Sequence, residues 1–474
     1  NRISLRSSSW QNTGDGRDRL ISIENIDAGA GNDRVTGNSA ANTLNGESGN
    51  DWFYGDVGND VINGGTGIDT AAFSSRNNRI NLSSSSWQNT GDGRDRLISI
   101  EDIDAGAGND VVRGNRASNT LNGQSGNDWL YGDVGNDVIN GGTGIDTAAF
   151  SSRNNRINLS SSSWQNTGDG RDRLISIENI DAGAGNDVVT GNSAANTLNG
   201  QSGNDLFHGM FGNDVINGGS GNDVINGGTG IDTAEFSSRN NRISLRSSSW
   251  QNTGDGRDRL ISIENIDAGA GNDRVTGNSA ANTLNGQSGN DWLYGDVGND
   301  VINGGTGIDT AAFSSRNNRI NLRSSSWQNT GDGRDRLISI ENIDAGAGND
   351  VVRGNRASNT LNGQSGNDWL YGDVGNDVIN GGTGVDTAAF SSRNNRINLS
   401  SSSWQNTGDG RDRLISIENI DAGAGNDRVT GNSAANTLNG ESGNDWFYGV
   451  LGNDVINGGS GIDTAAFSSR NNRI

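Results

Sequence analysis

Ala105-Gly-Ala-Gly-Asn-Asp-Val-Val-Arg113, Gly114-Asn-Arg-Ala-Ser-Asn-Thr-Leu-Asn122, Gly123-Gln-Ser-Gly-Asn-Asp-Trp-Leu-Tyr131, Gly132-Asp-Val-Gly-Asn-Asp-Val-Ile-Asn140 and Gly141-Gly-Thr-Gly-Ile-Asp-Thr-Ala-Ala149 lie end to end without a gap. Four of these five nonapeptides fit G-G-x-G-x-D-x-U-x, where U is apolar. The glycines admit the positive φ of a tight turn whose carbonyls point toward one spot. The Asp at position six adds a carboxylate there, and x-U-x reads as a short strand with U turned inward. One block is therefore half a coil. Two blocks close a flattened coil, and loops n and n+2 stack on the same edge about 4.8 Å apart.

Outward from this stretch the same text returns. Trp-Gln-Asn-Thr-Gly-Asp-Gly-Arg-Asp recurs at Trp10, Trp87, Trp164, Trp250, Trp327 and Trp404, at a period of 77 residues. Only the step from Trp164 to Trp250 differs, at 86, and the surplus is one nonapeptide, Gly-Gly-Ser-Gly-Asn-Asp-Val-Ile-Asn. Growth by whole nonapeptides and whole 77-mers marks a quasi-one-dimensional chain whose repeats touch mainly their neighbours. The expectation is an all-β fold, a parallel β-roll or β-solenoid with a longer spacer in each 77-residue repeat. It is read as one continuous solenoid over 1-474, in six tandem repeats of about 1-77, 78-154, 155-240, 241-317, 318-394 and 395-471. The chain opens on Asn1-Arg2-Ile3 and closes on Asn472-Arg473-Ile474, the same point of the repeat, which reads as a segment of a longer repetitive polymer.

Composition says what can hold such a fold. Apolar residues make up only 30% and aromatic residues 5%, so a thick core is unavailable. Fifty-seven acids against 35 bases, every base an arginine, leave a net charge of −22. That balance argues against nucleic acid and for multivalent cations. No cysteine is present, so disulfides and thiolate metal sites do not contribute. No apolar run has the length of a membrane helix.

Stacked loops bring like charges together. Two carboxylates at about 4.8 Å repel by roughly 1 kcal/mol in water and by several times that at an effective dielectric near 20. A hard divalent cation between the loops reverses the sign. Calcium accepts six to eight oxygens in tolerant geometry, whereas magnesium requires a smaller octahedron and keeps its waters. Zinc wants nitrogen and sulfur, which one histidine cannot supply repeatedly.

These nonapeptides resemble the RTX, or haemolysin-type, calcium-binding repeats, and the resemblance covers the whole chain. Gly144-Ile-Asp-Thr-Ala-Ala-Phe150, Arg156-Ile-Asn-Leu159 and Gly168-Asp-Gly-Arg-Asp-Arg-Leu-Ile-Ser-Ile-Glu-Asn179 look like the longer spacer between blocks of such proteins. The resemblance implies a parallel β-roll with many Ca2+ ions between successive turns. It also implies export by a type I system through a carboxy-terminal signal.

Carried over residue by residue, the metal-ligating positions are Asp33, Asp51, Asp60 and Asp69 in the first repeat, then Asp110, Asp128, Asp137 and Asp146 in the second. They continue as Asp187, Asp205, Asp214, Asp223 and Asp232, then Asp273, Asp291, Asp300 and Asp309. The fifth repeat supplies Asp350, Asp368, Asp377 and Asp386, and the sixth Asp427, Asp445, Asp454 and Asp463. The spacer turn Gly91-Asp-Gly-Arg-Asp95 adds Asp95 and its counterparts Asp18, Asp172, Asp258, Asp335 and Asp412.

One block per repeat departs from the pattern: Asn42, Asn119, Asn196, Asn282, Asn359 and Asn436 stand at position six, which predicts a weak or empty site there. Alternation puts Asp110, Asp128 and Asp146 on one edge and Asn119 with Asp137 on the other. The added block pairs Asp214 with Asp232 on the poorer edge.

In the spacer, Ile157 and Leu159, then Leu174, Ile175, Ile177 and Ile180, read as longer strands continuing the coil. Seven half-coils per repeat, about 43 in all, would make a rod on the order of 100 Å. Successive spacers would then alternate faces, except across the extra block. Trp129 and Tyr131 flank inward Leu130 and should point outward, as should Trp52, Trp292, Trp369 and Trp446. Such rings suit lateral contact with another rod or with glycan; equally, the spacer folds back over them. His208, in a block where Leu206 replaces the tryptophan, reads as a substituted surface position.

Catalysis finds no foothold. Without Cys or Lys, and with one His, no triad, zinc site or Schiff base can form, and identical Asp pairs in every turn argue for metal binding. The expectation is a non-enzymatic, secreted structural protein, a calcium-stiffened rod that self-associates into filaments, sheath, surface layer or biofilm matrix. It resembles in kind the oscillin-type surface fibrils. The stalk of a cell-surface adhesin is the alternative, or the export and folding module of a larger secreted enzyme or toxin.

Overall fold

Each x-U-x triplet forms a three-residue strand, such as Trp52–Tyr54 or Val61–Asn63, because one inward side chain per half-coil is all the narrow interior admits. The computed structural model describes residues 1–467, and among them no helix occurs. Strands stack in parallel and in register. Val35 pairs with Phe53 and Phe53 with Ala71, while Ile26 pairs with Leu44 and Leu44 with Ile62 on the opposite sheet. The core is thus two facing columns of single apolar side chains, of which Phe53, Leu44 and Ile62 are fully enclosed. The parallel β-roll expected from the blocks is the fold.

The spacer cuts one of the two sheets. Ala71 pairs directly with Ile103, so one column passes through without a break. On the other side, Leu97 stacks back on Ile62 and Ile80 stacks forward on Val112. Both strands fall between Ala71 and Ile103, which gives seven half-coils per repeat. In the next spacer the roles reverse: Ala148 pairs onward with Ile180, while Leu174 ends the column of Ile139 and Ile157 begins a new one. After the added nonapeptide, Leu260 ends the column that Ile157 began, on the face already cut by the previous spacer. An insertion of one half-coil shifts the parity.

Between the two strands the chain makes an excursion that the sequence did not disclose. Gln165–Asn166 pairs antiparallel with Arg171–Asp172, forming a small hairpin in place of a longer coil strand. Asp169 pins it, accepting from the backbone amide of Ser151 at 2.7 Å and from the Ser151 hydroxyl.

Contacts divide the chain into two compact bodies, Asn1–Ala234 with Gly256–Ile263, and Glu235–Asp255 with Glu264–Ile474. The first contains the columns just described. In the second, the column from Ile243 runs through Ala311 and Ile343 to end at Leu414, and the column through Ile302 ends at Leu337, where Ile320 begins its successor.

The paired aromatics do face outward, yet most are not bare. Guanidinium groups of Arg34, Arg274 and Arg428, one coil away in register, lie 3.8, 3.5 and 4.3 Å from the ring centres of Trp52, Trp292 and Trp446. From the spacer, Arg6 and Arg246 cover Tyr54 and Tyr294 at 4.8 Å. His208 is half-buried, its Nδ1 3.2 Å from the Asn226 amide of the next coil.

Candidate metal centre

Position six precedes the strand by one residue, so its side chain turns back under the loop instead of out to solvent. Asp51 is 2% exposed. Its Oδ1 accepts the backbone amide of Asp33 at 2.8 Å, and its own amide donates to Oδ1 of Asp69, also at 2.8 Å. The second oxygens of Asp33, Asp51 and Asp69 are buried and have no hydrogen-bond donor. The same holds for Asp110, Asp128 and Asp146, for Asp187 and Asp205, and for Asp273, Asp291 and Asp309. Gly46 shows why position one must be glycine. A Cβ there would collide with Asp51 Oδ2 and come within 2.6 Å of the Gly64 carbonyl.

Leaving a charged oxygen unsatisfied in a buried site is costly. Burial accordingly pushes these carboxyls up, Asp60, Asp137 and Asp205 to about 7 and Asp110, Asp146 and Asp187 to about 6. Neighbouring carboxylates add to the effect at Asp110, where Asp128 is one coil away. The cradle is lined by oxygens alone, and a cation placed among them would offset the cost of burying the carboxylates.

One residue of each spacer shows where that counter-charge fits. Asn78 stands at position six of Phe73-Ser-Ser-Arg-Asn-Asn-Arg-Ile-Asn81, and its Nδ2 donates to the carbonyls of Ser74, Arg76 and Ala105 at 3.1, 2.6 and 2.8 Å. These are positions two and four of its own loop and position one of the loop stacked on it. By position in the block, the corresponding carbonyls at Asp51 are those of Gly49, Gly64 and Glu47, the last of which also accepts the Thr66 amide at 2.8 Å. Where Asn78 carries a partly positive amide, Asp51 carries an unsatisfied oxygen. Asn155, Asn241, Asn318 and Asn395 repeat the arrangement. Among the described residues no three acidic or imidazole side chains converge, so carbonyls must complete any coordination shell.

The structure sorts the remaining sequence candidates. At the Asn blocks, Asn119 donates through Nδ2 to the Glu101 carbonyl at 2.7 Å and accepts from the Asn115 amide at 2.8 Å, so an amide donor stands where the Asp blocks carry their orphaned oxygen. Asp95 also has both oxygens engaged, by the Asp60 amide at 2.8 Å and by the Thr90 hydroxyl. Asp172, Asp335 and Asp412 do likewise with Thr167, Thr330 and Thr407. Asp18 is exposed and accepts the Thr13 hydroxyl, as Asp95 accepts that of Thr90. Asp214 and Asp232 stand one coil apart, joined by a 2.8 Å bond from the Asp214 amide. Asp454 and Asp463 close the last ladders, accepting from Asn436 and Asp445 at 3.0 Å.

Two groups escaped sequence reasoning. Glu101 Oε2 accepts the Asp69 amide at 3.0 Å, and Glu178, Glu341 and Glu418 serve Asp146, Asp309 and Asp386 in the same way. The signal was present: Glu101 precedes inward Ile103 by two residues, the offset from Asp69 to Ala71. The spacer pins Asp92, Asp169, Asp332 and Asp409 carried none, since each stands five residues before its inward leucine and not two.

A model of the RTX calcium-binding nonapeptide repeat matches residues 23–71, 100–148, 166–234, 263–311, 340–388 and 417–465, more than half of the chain. The chain belongs to the RTX repeat family. A search of curated proteins finds no match to it. RTX repeats bind Ca2+, and this chain carries many copies. The orphaned oxygens, the convergent carbonyls and the absence of nitrogen or sulfur ligands fit that ion. Bound calcium would neutralise the paired carboxylates, and the RTX loops would supply carboxylate and carbonyl oxygens to it.

Proposed function

We propose that this RTX chain is an extracellular structural protein, a calcium-stiffened repeat rod that assembles laterally into filaments or a surface layer and performs no catalysis. The observation that carries the reading is an exposed ring that recurs in every spacer, on whichever face that spacer cuts. Trp87, Trp164, Trp250, Trp327 and Trp404 project from successive spacer hairpins, each 41–43% exposed. Indoles left open at one fixed point of every repeat suit a partner with the same period, such as another rod.

Calcium acts as the switch in this reading. Where calcium is scarce, the buried carboxylates repel and the acidic chain stays open for export; where calcium is millimolar, binding to the folded state alone drives folding. Electron micrographs test the assembly directly. Filaments or sheets are expected in calcium and none in chelator, and dispersed single particles in calcium would contradict the proposal.

A further inference from the structure

Five of the six blocks at the aromatic position carry tryptophan, and the residue one coil before each differs with the cover of its ring. Arg34, Arg274 and Arg428 pair in register with Trp52, Trp292 and Trp446 and lie over their faces, leaving those indoles half-buried. Val111 and Val351 take the arginine's place beside Trp129 and Trp369. Those two rings are 42% and 37% exposed. Arg113 and Arg353 do not compensate, being engaged over Tyr131 and Tyr371 at 4.8 and 4.9 Å.

A second difference travels with the first. The loop Gly114-Asn-Arg-Ala-Ser-Asn119 and its counterpart carry exposed Arg116 and Arg356, where the other four repeats have Ser39, Ser193, Ser279 and Ser433. Among the described residues neither arginine makes an ion pair or a ring contact. The third repeat has Val188 but pairs it with Leu206, and there the loop residue is Ser193. An uncovered tryptophan and a free loop arginine therefore occur together, in the second and fifth repeats only.

We infer that Trp129 and Trp369 are receptor sites for Arg116 and Arg356 of a second copy of this chain. The fold itself shows that these indole faces accept a guanidinium, because in three repeats an arginine of the same chain fills the place. In the second and fifth repeats that place is open, and the chain displays the matching group on a loop edge. Such a contact closes as a two-fold pair when each copy's arginine seats on the other's ring, and propagates when the second and fifth repeats engage different copies. The inference rests on the assembly reading above and names its contact.

Sedimentation velocity of the full chain in millimolar calcium at low ionic strength tests it. Two double variants are needed, Arg116→Ser with Arg356→Ser, and Val111→Arg with Val351→Arg. Each installs a residue that the chain already carries at the equivalent position, so folding is preserved. Either variant should raise the concentration required for association about tenfold, and added salt should weaken the parent in the same direction. If the parent associates and both variants follow it unchanged, this inference falls while the assembly reading stands. Unchanged association with the parent's indole fluorescence quenched by maltoheptaose would assign the rings to glycan and equally overturn it. A parent chain that stays monomeric in calcium removes both.

Discussion

The backbone amide of Asp33 donates to Oδ1 of Asp51 at 2.8 Å, one coil away, while Oδ2 of each carboxylate is buried without a donor. One oxygen of each such carboxylate builds the solenoid, and the other is placed to ligate a cation. Structure and ion binding are therefore coupled through a single side chain, repeated along each ladder.

Asp128→Asn should separate the two roles. An amide at position six is tolerated, as Asn119 shows, and its Oδ1 can still accept the Asp110 amide. Removing a buried unsatisfied charge should stabilise the calcium-free fold by about 1–3 kcal/mol, and calorimetric titration should count fewer bound ions. A calcium stoichiometry equal to that of the parent would contradict the assignment of Oδ2.

Asn78→Asp is the converse change. It removes the amide that donates to Ser74, Arg76 and Ala105 and sets a carboxylate against those three carbonyls. The variant should melt earlier in chelator, recover in calcium and bind one additional ion.

Acid should replace calcium in part. Unfolded aspartates ionise near 3.8, whereas in the fold burial raises Asp60, Asp137 and Asp300 to about 7. Between those values the folded chain holds more protons than the unfolded one, so stability falls as pH rises. Without divalent ions, the fold should be most stable below about pH 4, lose stability from there to about pH 7 and change little above. Circular dichroism in chelator across this range checks the sign; stability that rises with pH would contradict it.

Val450 holds a φ of 77°, at a position where Gly65 and Gly142 serve in other blocks. A β-branched residue is strained there. Val450→Gly should therefore stabilise the adjoining coil by about 1 kcal/mol, read as greater hydrogen-exchange protection of Trp446–Tyr448.

Most of the fold was legible because one rule, a carboxylate two residues before an inward apolar side chain, repeats at fixed offset from Asp33 to Asp445. The rule even extends to Glu101, although a glutamate without the glycine turn concealed it. What stayed hidden depends on contacts across the spacer. The Ser151–Asp169 pin spans one coil length but joins residues outside the ladder positions, and the Gln165–Asn166 hairpin lies outside the nonapeptides, so nothing local announces them. The covering of Trp52 by Arg34 was hidden for a related reason, since register between coils 18 residues apart decides which side chains meet.

The most direct test is a calcium titration of the full chain at pH 8 in chelator, followed by far-ultraviolet circular dichroism with magnesium as control. A largely disordered spectrum that converts cooperatively to β with calcium, and not with magnesium, is the expected result. A full β spectrum before any calcium is added would contradict the claim that bound cations hold these turns together.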